Sequence, residues 1–214
     1  MQACVTPLKG FLATLLPAEK ETILTTMAHV LSRLVLGEPL DTGKVKTLPD
    51  GVDALLLLDE WRLVQPVGHS ATKAWEDTTQ LLAMGRDFDL TFPAWIGAVV
   101  RCVCGMGRFQ FREALLIFFT DEGHPARFEL PAFLFELARA SKNGIIDSAQ
   151  INRRLQIMPL GVSADTLIAQ LKNYGFISPH LRADFFRMRT PHYEIHPVLV
   201  HAATSEAPGP ERMP

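Results

Sequence analysis

The sequence predicts a mostly α protein with small β-elements, and three observations lead there. Apolar residues recur at three- and four-residue spacing through much of the 214-residue chain. Gly and Pro stand where those runs stop. One nine-residue string that reads as the end of a helix entering a strand occurs twice, as Leu58-Asp-Glu-Trp-Arg-Leu-Val-Gln-Pro66 and as Leu171-Lys-Asn-Tyr-Gly-Phe-Ile-Ser-Pro179. Each has leucine, two polar residues, an aromatic, a variable residue, two apolar residues, a polar residue and proline. A Gly-Val pair precedes both, at 51 and 161, with spacing that differs by three residues. The simplest explanation is two copies of one unit.

In chain order, residues 1 to 6 show no pattern. Leu8, Phe11, Leu12, Leu15 and Leu16 fit a short amphipathic helix that Pro17 ends. From Pro17 to Leu36, Ile23, Leu24, Met27, Val30, Leu31, Leu34 and Val35 repeat at helical spacing, and Gly37 supplies the stop. Residues 38 to 51, with Pro39, Gly43, Pro49 and Gly51, allow no more than one irregular helical turn. Val52 to Glu60 reads as helix and Leu63-Val64 as a strand. Thr91 can cap a further helix with Pro93 in its first turn. The segment from Trp75 to Phe119 is too apolar for a flexible tether. Ala126 to Ser141 opens the second unit as a helix, with Pro131 near its start and Phe133, Leu134, Leu137 and Ala138 inward. Ile145-Ile146 is a short strand, and Ser148 caps a helix with Ile151 and Leu155 on one face. Ser163 starts the next helix, whose inner stripe is Leu167, Ile168, Leu171 and Tyr174. Gly175 closes it in a left-handed cap. Phe176-Ile177 and Tyr193 to Pro197 are strands around an Arg-bearing loop. Residues 203 to 214 form a disordered tail.

Two short helices across a turn, followed by a strand and a returning strand, resemble the winged helix-turn-helix superfamily. The resemblance implies two such units joined by a helical linker: an N-terminal unit at 7–78, the linker at 79–122, a C-terminal unit at 123–202 and the tail at 203–214. It also implies that the second helix of a unit can enter a major groove.

The composition, 48% hydrophobic and 21% charged, can bury a substantial core. No apolar run approaches the roughly 20 residues that cross a bilayer, and the first residues lack a signal pattern, which places the chain in the cytoplasm without a membrane partner. Cys4, Cys102 and Cys104 read as free thiols in a reducing compartment. Net charge is −2, yet it is uneven: residues 1–123 hold 11 Lys or Arg against 15 Asp or Glu, and residues 124–201 hold 9 against 6. Only the last part leans basic, as a polyanion partner requires.

Ser163, Thr166, Gln170 and Asn173 face outward from the second helix of the C-terminal unit, and such groups can read base edges. Asp165 lies among them with the wrong sign for a phosphate. The alternative is a solvated face. Arg153, Arg154 and Lys172, with Arg182, Arg187 and Arg189 in the wing, are candidates for phosphate contacts, unless they pair with local carboxylates. The matching helix of the first unit carries Asp53, Asp59 and Glu60 around four consecutive leucines, Leu55 to Leu58. One leucine should therefore face a partner subunit or a second copy. Cys102 and Cys104, two apart, point about 200° apart on a helix and make no metal site. His180, His192, His196 and His201 read as solvated. No catalytic constellation and no cofactor motif stands out.

These features predict a non-enzymatic protein that binds double-stranded DNA, in transcription or in plasmid or chromosome maintenance, through its C-terminal unit. The rival expectation is a scaffold resembling the tandem winged-helix accessory subunits of bacterial condensins, with no direct DNA contact. A weaker third is a ligand-responsive regulator with a pocket among Trp75, Phe92, Trp95, Phe109 and Phe111.

Overall fold

In the computed structural model, residues 2–68, 74–75, 86–107, 110–180 and 190–205 are described. The chain is mostly helical with two small antiparallel sheets. The helices are α1 (Gln2–Leu15), α2 (Glu21–Val35), α3 (Thr42–Lys46), α4 (Gly51–Glu60), α5 (Ala94–Met106), α6 (Phe111–Asp121), α7 (Leu130–Ala140), α8 (Ser148–Ile157), α9 (Ala164–Tyr174) and α10 (Pro197–Ser205). The strands are β1 (Gln65–Pro66), β2 (Leu90–Thr91), β3 (Ile145–Asp147), β4 (Ile177–Pro179) and β5 (His192–Ile195).

The same arrangement appears twice. In the C-terminal half α7 leads to β3, then α8 and α9, then β4 and β5, with β5 hydrogen-bonded between β3 and β4. In the N-terminal half α2 leads to a single bridge residue, Asp41, then α3 and α4, then β1 and β2. Asp41 bridges Asp89, and β2 pairs with β1, so the returning strand is again central. The repeated string explains the match at atomic level. Leu63 N–H bonds the Leu58 carbonyl at 2.9 Å, and Phe176 N–H bonds the Leu171 carbonyl at 2.9 Å. The variable residue of each string has positive φ, +53° at Arg62 and +81° at Gly175, because the chain must leave the helix in a left-handed step. The Gly-Val pairs do not correspond. Gly161 has φ +72° in the turn before α9, whereas Gly51 begins α4, where a Cβ would overlap the Val45 carbonyl.

Several boundaries differ from expectation. Residues 2–6 belong to α1, with Cys4 and Val5 packed on the core. Residues 38 to 51 contain the short helix α3, capped by the Asp41 side chain, which accepts from Lys44 N–H at 2.8 Å. Leu63 and Val64 are buried residues before the strand, which is Gln65–Pro66. Thr91 lies in β2, and Pro93 is the residue that precedes α5. Asp147, not Ser148, caps α8 in a box with Gln150, because a carboxylate one residue earlier reaches the Gln150 N–H at 2.6 Å. The expected tail loses its first residues to α10, which runs through Ser205 and packs on α7.

The linking helices are core. Trp95 of α5 stacks on Phe176 at 4.9 Å and meets Phe111 of α6 edge-on at 5.7 Å, so the C-terminal half is clamped to the linker by aromatic contacts. Gly175 suits this join through its φ of +81°, since a Cβ there would meet Pro93 and Trp95 only at ordinary contact distance. Helix α1 packs on α2 and α5, and Cys4 is disulfide-bonded to Cys104 with Cα atoms 4.8 Å apart. Two of the three cysteines are therefore not free thiols. One hundred residues separate them, so only the docking of α1 on α5 reveals the pair.

Candidate functional site

Helix α9 is fixed by Ser163, whose Oγ accepts from Thr166 N–H at 3.2 Å and lies 2.8 Å from Thr166 Oγ1. Leu167, Ile168 and Leu171 are buried beneath it, and Gly175 closes its end. Asp165, Thr166, Ala169 and Asn173 are exposed. Gln170 is not free on that surface. It is half-buried, and its Oε1 stands 3.3 Å from Nε2 of buried His124, in the corner between α6 and α7. His124 Nδ1 accepts from Ala126 N–H, so Nε2 carries the proton and donates to Gln170.

The cations expected on phosphates divide. Arg154 lies 3.5 Å from Glu136, which also holds Arg139 at 3.3 Å. Arg153 is exposed and has no acidic partner among the described residues. Lys172 sits with Asn173 at the end of α9, beside the N-terminal half. Arg182, Arg187 and Arg189 lie outside the described residues. The structure thus places Arg153 on α8 and Lys172 and Asn173 at a cleft. Ser163 and Thr166 satisfy each other, and Gln170 and Arg154 have internal partners.

That cleft separates the two repeated halves, and of its groups Asp59 with Arg62 and buried His196 were not assigned to it from sequence. His196 is fully buried, not solvated; His180 is buried as well, 2.9 Å from Glu194. The His196 Nδ1 accepts from Val198 N–H at 3.3 Å, and Nε2–H donates to the Arg62 carbonyl at 3.1 Å. Burial pushes its pKa down to about 3, so the ring is neutral. Trp75 meets the ring edge-on at 5.6 Å, and Trp75 N–H donates to Ser178 Oγ at 2.8 Å. Asp59, 3.3 Å from Arg62, has its pKa raised by burial despite that guanidinium. The one available signal was the repeat itself, which puts Arg62 where its counterpart is Gly175.

On α4 the four-leucine run divides by exposure. Leu55 and Leu58 are buried, whereas Leu56 is 51% exposed and Val52, one turn before it, 48%. Asp53 and Glu60 are exposed on the same helix. The result is an apolar stripe with an acidic rim. Of the linker aromatics expected around a pocket, Trp95 and Phe111 are core, Phe92 packs against the core and Phe109 lies outside the described residues. Among the described residues, no group of His, Cys, Asp and Glu is placed to hold a metal ion, and no helix is long and apolar enough to cross a membrane.

A protein-family model matches residues 21–204, which spans both repeated halves and leaves α1 outside. No curated protein and no solved structure matches the chain.

Proposed function

We propose that this chain, which belongs to the family whose model matches residues 21–204, is a non-enzymatic interaction module of two winged-helix units that docks a partner protein on α4. The observation that carries this reading is the contrast between the two equivalent helices. Of the four polar groups at α9 suited to base edges, Gln170, Ser163 and Thr166 are engaged within the chain, and Asn173 is exposed. In α4, Val52 and Leu56 stand exposed one turn apart with acids beside them. An apolar stripe flanked by carboxylates suits a partner surface with apolar residues inside a basic rim. A second copy meeting α4 on α4 would bring like charges together, which disfavours a homodimer through this face.

The winged-helix reading rests on element order and on the central returning strand in both halves. Tandem units of this kind serve as interaction modules as readily as DNA readers. The experiment compares proteins captured by the wild type and by Leu56→Glu, with circular dichroism to verify the fold. A partner retained by the wild type and lost by the variant supports the reading; an unchanged captured set overturns it.

A second reading, double-stranded DNA binding through the C-terminal unit, is favoured by Arg153, exposed and without an acidic partner among the described residues, and by three arginines between β4 and β5 in sequence. It requires binding that weakens steeply with salt.

A further inference from the structure

The cleft between the units is lined by charged side chains. It is a cavity of about 80 Å³ walled by the end of α4, β1, Trp75 and the last turn of α9. Two cations, Arg62 and Lys172, and one acid, Asp59, line it. Asp59 pairs with Arg62, and Lys172 has no acidic partner among the described residues. One half-buried positive charge is left uncompensated. Such a charge draws an anion.

The remaining chemistry narrows the anion. Arg62 spends one Nη on Asp59, and a guanidinium has five donors in a planar fork, which suits the two oxygens of a carboxylate. The Arg62 guanidinium lies 5.9 Å from the Trp75 ring centroid, which gives the cleft a flat apolar wall next to its cations. The carbonyls at the end of α9 oppose an anion, but the Gly175 carbonyl is already taken by Trp95 Nε1–H at 3.2 Å. A cavity of this size is smaller than the roughly 150 Å³ that admits benzene, so the apolar part must be short.

We propose that the cleft between the two units is a binding site for a short-chain carboxylate, held by Lys172 and Arg62 with its alkyl group against Trp75. Two variants isolate it. Lys172→Ala removes a half-buried cation that makes no ion pair among the described residues. Arg62→Gly keeps the positive φ of the step, as Gly175 does in the second copy, and removes the other cation. Calorimetric titration of the full chain with butyrate at low salt should give saturable binding. Lys172→Ala and Arg62→Gly should each weaken it about tenfold or more, as expected for loss of a charge-assisted hydrogen bond. Absence of butyrate binding overturns the proposal, and so does unchanged affinity in Lys172→Ala. Inorganic phosphate binding in place of butyrate also overturns it. Leu56→Glu should bind butyrate like the wild type, so failure of this site and failure of the α4 surface are distinguishable.

Discussion

At position 196 a neutral imidazole closes a hydrogen-bond relay between distant parts of the chain, from Val198 N–H through the ring to the Arg62 carbonyl. Its folded pKa of about 3 lies below the unfolded value of 6.5. The unfolded chain therefore binds a proton that the native ring refuses, and stability contributed here is complete above pH 6.5 and is lost as pH falls towards 3. Between pH 7.5 and 5.0 this residue alone should cost about 2 kcal/mol, read by denaturant unfolding, and His196→Gln should flatten that pH dependence. An equal slope in both proteins would contradict the assignment. At position 175 the left-handed step beside Pro93 leaves little tolerance for a side chain, and Gly175→Ala should destabilise by about 1 kcal/mol in the same assay.

Elements with a self-contained signal were legible. The apolar period of α2, the Ser163 cap and the Gly175 stop of α9 are local facts of the chain, and they sit where the sequence places them. Competition between adjacent candidates was harder to read. Asp147 and Ser148 can both cap, and the choice depends on whether β3 already holds Asp147 extended. Asp147→Ala should therefore cost about 1 kcal/mol, whereas Ser148→Ala should be near neutral in thermal unfolding. The candidate site was less legible for the same reason. Outward polarity on α9 is visible in the sequence, but His124 reaches Gln170 only once the α6–α7 corner is folded. Burial of His180 and His196 likewise comes from segments far away in sequence. The exposed leucine of α4 was foreseeable, because four in a row cannot all face one core. Leu56→Glu should accordingly change stability by no more than about 0.5 kcal/mol.

For the whole molecule, the two halves meet through buried polar contacts and shared aromatics rather than through a tether. The Cys4–Cys104 bond adds a covalent closure over a sequence separation of 100 residues, fastening α1 to α5. Its reduction should lower unfolding free energy by about 2–4 kcal/mol, with unchanged stability as the contrary result. The same organisation commits Ser163, Thr166 and Gln170 to internal partners and leaves Val52 and Leu56 of α4 open, and this division is what the functional account depends on. Fluorescence anisotropy of a mixed-sequence DNA duplex, titrated with the full chain from about 50 to 200 mM salt, tests it most directly. The account predicts no saturable binding at any salt concentration in that range. Tight binding at low salt that falls steeply as salt rises, with a shallower slope in Arg153→Ala, would contradict it and place the duplex on the C-terminal unit.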